Sequence, residues 1–134
     1  MNILDLFRKK QPQVIKTFTP LVPSGLIAHT EKGFFYIKGK KRFKFTSEIA
    51  MSTWNLPVVK TTENKLAGIV QMGTLGLRDG TIAKDISDSK IYLISDNKKR
   101  HIVNPDVLIW INSSIIDVSQ KDILVHEDGD PLDE

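Results

Sequence analysis

Hydrophobic and polar positions along this chain fall into two passages of one pattern. A short apolar run opens each, Gly25-Leu26-Ile27-Ala28 and Gly80-Thr81-Ile82-Ala83. A tyrosine-bearing apolar run follows, Phe35-Tyr36-Ile37 and Ile91-Tyr92-Leu93, and then a basic triplet, Lys40-Lys41-Arg42 and Lys98-Lys99-Arg100. Gly25 and Gly80 lie 55 residues apart, Tyr36 and Tyr92 lie 56 apart, and Arg42 and Arg100 lie 58 apart. Repetition at a near-constant period of this size predicts two copies of one supersecondary unit.

Within each copy the periodicity predicts a short strand, a hairpin, a short helix and a further strand. The hairpins run over 34–37 and 41–45, then over 91–95 and 99–103, with Gly39 and Asn97 supplying the positive φ of tight turns. Thr46 or Ser47 caps a helix running to about Trp54. Asn104 caps the second helix, with Pro105 at its first position and Asp106 in its first turn. The β-branched runs 58–61 and 115–118 read as strands, and Ser119-Gln120-Lys121-Asp122 reads as a cap for a closing turn. The expected fold class is therefore α+β, mostly β. It consists of two tandem copies of a small β-hairpin/short-helix/β unit that share or stack their cores, behind an N-terminal arm. The divisions are 1–22 for the arm, 23–76 for the first repeat, and 77–134 for the second repeat with its acidic tail. Gly73-Thr74-Leu75-Gly76 reads as the linker between copies.

Size and composition narrow the picture. A chain of 134 residues holds one compact domain or two small ones, and a repeat near 55 residues is close to the lower limit for burying its own core. There is no cysteine, and no apolar run approaches the roughly 20 residues of a membrane span. In the arm, Ile3, Leu6 and Phe7 share one face of a short helix and Arg8-Lys9-Lys10 follow. That order is the reverse of a secretory signal, so the expectation is synthesis in a cytoplasm without a signal peptide. Three readings of the arm stand: a tail or helix of its own domain, a docking peptide for a neighbouring subunit, or a membrane-surface anchor. Residues 1–126 carry a net charge of +8, and five of the 16 acidic residues fall in 127–134. Such a tail either folds back on its own basic face or joins a neighbour head-to-tail.

Candidate chemistry adds little. Lys40, Lys41 and Arg42, with Lys38 and Lys44, interleave with Phe43 and Phe45 as in nucleic-acid readers, and Lys98, Lys99 and Arg100 repeat the basic triplet. A solvated hairpin edge or a surface for acidic proteins gives the same pattern. Arg42 and Arg100 read as equivalent braces for a carboxylate such as Glu48 or Asp106, and Tyr36 and Tyr92 as equivalent core positions. Trp54 and Trp110, 56 apart, read as core anchors near the helix ends, with an interface anchor as the alternative. His29, His101 and His126 are dispersed without metal-ligand spacing. No nucleophile elbow or phosphate-cradling loop occurs, so neither cofactor, metal nor enzymatic activity is expected.

The second copy resembles a repeat of bacterial cell-surface proteins and phage virion proteins. Asp79-Gly80-Thr81-Ile82, Ile91-Tyr92-Leu93-Ile94, Asn97-Lys98-Lys99-Arg100-His101-Ile102 and Asn104-Pro105-Asp106-Val107 follow that repeat in order. So do 116–123 and Gly129-Asp130-Pro131-Leu132. The first copy departs from it, with Thr46-Ser47-Glu48-Ile49 lacking the proline. The resemblance implies a non-enzymatic architectural or adhesive module. With no signal peptide expected, it favours a virion structural protein at head or tail, whose partners are capsid or tail subunits or further copies of itself. A surface adhesion or glycan-binding module and a nucleic-acid-binding accessory protein are the alternatives.

Overall fold

The computed structural model describes residues 23–111 and 113–133. Readings placed on Ile3, Leu6, Phe7, Arg8, Lys9 and Lys10 lie outside the described residues. The first unit consists of β1 (Ile27–Thr30), β2 (Gly33–Lys38), β3 (Lys41–Phe45), α1 (Glu48–Ser52), β4 (Val58–Lys60), a 3-10 turn (Glu63–Leu66) and β5 (Val70–Leu75). The second consists of β6 (Ile82–Asp85), β7 (Ile91–Ser95), β8 (Lys98–His101), α2 (Val107–Trp110), β9 (Ile115–Val118), α3 (Gln120–Leu124) and β10 (Glu127–Asp128).

The two sheets are built alike. The first has the order β4-β1-β2-β3-β5, and the second, read in the same direction, β9-β6-β7-β8-β10. In each, the hairpin pairs are antiparallel, and both edge strands join in parallel. The protein is thus a mostly-β α+β structure in two units. Gly25 and Gly80 both sit at φ 91°, where glycine is favoured, and both donate a backbone hydrogen bond back to the hairpin, to Ile37 and Ile94. At the hairpin turns, Gly39 and Asn97 have positive φ, at 62° and 61°.

Strand register corrects how the copies align. Ile27 pairs with Tyr36, whereas Ile82 pairs with Leu93, so Tyr36 corresponds to Leu93, and Phe35 to Tyr92. Ile37 pairs with Arg42, and Ile94 with Lys99, so Arg42 corresponds to Lys99, not Arg100. The loop after β6 is longer than that after β1, which shifts the offset from 55 to 57. The offset then holds at 57 through β10: Val58 matches Ile115 and Val70 matches Glu127. A slip of one residue changes the face on which a strand side chain stands. Tyr36 and Tyr92, and likewise Arg42 and Arg100, therefore occupy opposite faces of their sheets, not equivalent positions.

One further expectation is corrected. Gly73-Thr74-Leu75 is not linker but part of β5, an edge strand held in parallel along β3. Of the two dispositions expected for the acidic tail, the structure has it folded back on its own unit. Glu127–Asp128 pairs with Lys98–Lys99, and Leu132 bridges to Ile102, as Leu75 pairs with Phe45 in the first unit.

Three apolar clusters form the core. Ala28, Phe35, Ile37, Leu66 and Ile69 fill the first unit. Ile82, Ile102 and Val107 lie on one side of the second sheet. The third cluster joins the units: Ala50 from α1 packs with Leu77, Ala83, Ile94, Val118 and Ile123. Units this small gain from sharing a core, because each alone buries a modest fraction of its surface.

Candidate interaction surfaces

The joint between the units is the most elaborated polar site. Three successive residues of the crossover chain are each held by a side chain. Trp54 Nε1 donates to the Gly76 carbonyl at 2.9 Å, Leu77 N–H donates to His126 Nε2 at 3.0 Å, and Arg78 N–H donates to Thr53 Oγ1 at 3.1 Å. His126 is buried and its Nδ1 lies 2.9 Å from the Asn97 carbonyl. Accepting at Nε2 leaves the proton on Nδ1, so the contacts specify a neutral ring. Gly76 has no room for a side chain, since a Cβ there would lie 2.5 Å from both His126 Nε2 and Val125 Cγ1.

Asp122 completes the joint. Its buried carboxylate accepts from Thr46 Oγ1 at 2.6 Å and Ser47 Oγ at 2.9 Å in the first unit, and from Ser119 Oγ at 3.3 Å in the second. Ser47 also accepts from Ala50 N–H as the cap of α1, which ties the helix start to the neighbouring unit. A buried carboxylate needs such donors to offset desolvation.

The basic triplets separate into distinct roles. Lys40 and Lys41 lie exposed at the first hairpin tip, as does Lys98 at the second. Arg42 turns inward: its guanidinium lies 4.6 Å above the Phe35 ring and makes a two-pronged pair with Glu63 at 2.8 and 2.9 Å. The two side chains are only 14% and 16% exposed. Thr30 Oγ1 donates to the same carboxylate at 2.7 Å. The hydrogen bond from Arg42 is the main reason that the Glu63 carboxyl is held below the usual 4.5. Lys99, its counterpart, bonds to the His126 carbonyl and pairs with Asp128 at 3.2 Å, while Arg100 Nε donates to the Asp130 carbonyl at 2.8 Å. The expected partners Glu48 and Asp106 are thus replaced by Glu63 for Arg42 and by the folded-back tail for Arg100. Sequence reasoning missed both because the partners stand 21 and 30 residues further along the chain, one in the 3-10 turn and one just after β10.

The tryptophans diverge. Trp54 is half-buried, stacked on Tyr36 at 6.0 Å and edge-on to Phe45 at 6.1 Å. Trp110 is 72% exposed beside Ile109 at 76%, so it is neither core nor the counterpart of Trp54. At the offset of 57, Trp54 matches Ile111, which packs on the second unit's core. Pro105 is exposed in the turn before α2, where Asn104 Oδ1 accepts from Asp106 N–H at 3.0 Å and regular helix begins at Val107. Tyr92 is half-buried, and burial, reinforced by the charges of Asp88, Asp85 and Asp128, pushes its phenol above the usual 10.0.

Among the described residues no His, Asp and Glu side chains converge in a metal-ligating group, and no helix is long and apolar enough to cross a membrane. A cleft of 360 Å³ opens at the joint, lined by Trp54, Leu75, Leu77, Arg78, Asp79 and Asn97. Set against known proteins, the chain matches no family model, no curated protein and no solved structure.

Proposed function

We propose that this chain is a non-enzymatic structural protein of a phage virion, a decoration, cement or connector component of head or tail acting through protein–protein contacts. The observation that carries the reading is the joint. Two units of like topology are locked together by Asp122, His126 and Trp54 into one body with an apolar knob, Ile109–Trp110, facing solvent. A tryptophan exposed in this way is the residue type that anchors protein interfaces. The resemblance of residues 79–132 to a virion and cell-surface repeat supplies the setting.

The test is where the chain travels. A lysate of the source is separated on a density gradient, and each fraction is searched for this chain by mass spectrometry. Co-migration with a particle at fixed stoichiometry is expected; recovery only as a small free species overturns the reading. In particles carrying Trp110→Ser, incorporation falls while the protein stays folded.

The joint cleft favours a second reading, a glycan-binding adhesion module, because an indole beside Arg78, Asp79 and Asn97 offers both a stacking face and polar groups. Saturable binding of the free protein to host envelope glycans, lost in Trp54→Ala, would support it over the first.

A further inference from the structure

The two units carry opposite charge. Residues 23–76 hold eight Lys and Arg against three Asp and Glu, a net charge of +5. Residues 77–134 hold seven against twelve, a net charge of −5. The acidic balance is concentrated in the tail, because residues 77–126 hold seven Lys and Arg against seven Asp and Glu, and 127–134 add five carboxylates. Lys32, Lys38, Lys41, Lys44, Lys60 and Lys65 all stand exposed on the first unit, and Asp88, Asp96, Asp117, Glu127, Asp128 and Asp130 on the second.

The equivalent edges of the two sheets differ in the same sense. β5 pairs only with β3 among the described residues, and its six residues, Val70-Gln71-Met72-Gly73-Thr74-Leu75, carry no charge. Val70 and Met72 are 59% and 53% exposed. Most soluble proteins protect an open edge of this length with charges or a bulge; here the register shift at Arg42/Phe43 puts an irregularity at Met72, but the strand carries no charge. Lys41 and Lys44 lie on β3, one strand inward, about 5 Å away. The matching edge of the second unit, β10, presents Glu127 and Asp128, followed by Asp130.

We propose that the partner for the β5 edge is the β10 edge of a second copy of this chain, so that copies join head-to-tail, basic unit to acidic unit. Complementary charge steers the encounter, and the Lys41 and Lys44 side chains meet the carboxylates at Glu127 and Asp130. The contact is heterologous. Each joined pair still has a free β5 at one end and a free β10 at the other, and assembly continues until it closes into a ring or runs on as a filament. This inference rests on the assembly reading above and names the chain itself as one of the contacted subunits.

Sedimentation velocity of the purified full chain tests it. In low salt the weight-average mass should rise with concentration past that of a dimer, and high salt should return it to the monomer. Two variants locate the contact, with circular dichroism confirming that each is folded. Lys41→Glu with Lys44→Glu, and separately Glu127→Lys with Asp130→Lys, should each weaken self-association by roughly tenfold or more. Mixing the two variants should restore association, because the intact acidic edge of one meets the intact basic edge of the other. A monomer at every concentration in low salt overturns the proposal. So does self-association of the Glu127→Lys/Asp130→Lys variant at wild-type strength, which would point to a β5–β5 contact. A monomer that still co-migrates with particles would overturn self-association and leave the assembly reading standing.

Discussion

At the scale of single residues, corresponding positions have been given different chemistry. Ile69, part of the first unit's apolar cluster, corresponds at the offset of 57 to His126, whose ring bonds the crossover chain instead of filling an apolar space. Arg42 corresponds to Lys99, and the carboxylate that meets Arg42 comes from the 3-10 turn. Glu63→Gln leaves a largely enclosed guanidinium without its counter-charge, so it should destabilise the fold by about 1–3 kcal/mol, read as a lowered thermal midpoint. The pH dependence follows from the depressed Glu63 value. The unfolded chain takes up this proton first, so the pair contributes fully above 4.5, and its contribution is lost as pH falls through the lower folded value. The Glu63→Gln protein should accordingly lose less stability than the parent across that acid range. Tyr92 works at the other limit. Its raised value means the unfolded phenol ionises first, so stability falls as pH rises past 10.0, and Tyr92→Phe should flatten that alkaline limb in urea titrations.

At the scale of elements, short helices and edge strands are decided by what they touch. α1 has five residues, α2 has four and α3 has five, far below the length at which isolated helices persist. α1 is held by its Ser47 cap and by the placement of Ala50 in the second unit's core. Asp122→Ala removes the acceptor for three hydroxyls at that junction and should cost about 2 kcal/mol. Gly76→Ala should cost a comparable 1–3 kcal/mol, roughly, because His126 and Val125 must give way in a well-packed place. Both losses would be measured by chemical denaturation. Trp110→Ser, on the exposed end of α2, should change stability by no more than about 0.5 kcal/mol, which separates an interface role from a folding role.

At the scale of the whole molecule, the shared cluster couples the units. Ala50 packs with second-unit residues, three side-chain bonds cross the junction from Thr46, Ser47 and Thr53, and Trp54 holds the crossover chain at Gly76. Neither unit can open without exposing part of the other's core. Calorimetry should therefore show a single transition with a calorimetric enthalpy equal to the van't Hoff value; two separable transitions would mean that the units unfold independently.

Much of the chain's local architecture follows from sequence alone. Alternating apolar residues place the hairpins, Gly39 and Asn97 mark their turns, and the β-branched run 115–118 forms β9. These are short-range matters of backbone preference and side-chain period, and neighbouring residues carry them. Register between the copies was not legible, because Tyr36 and Tyr92 look alike as letters, yet their spacing of 56 is one residue short of the structural offset of 57, which puts them on opposite faces. The parallel edges β5 and β10, the Arg42–Glu63 pair and the enclosure of Asp122 and His126 depend on contacts between distant parts of the chain. Only the closed tertiary structure brings those parts together, because the free energy that settles them comes from burial and from satisfying buried polar groups rather than from local preference.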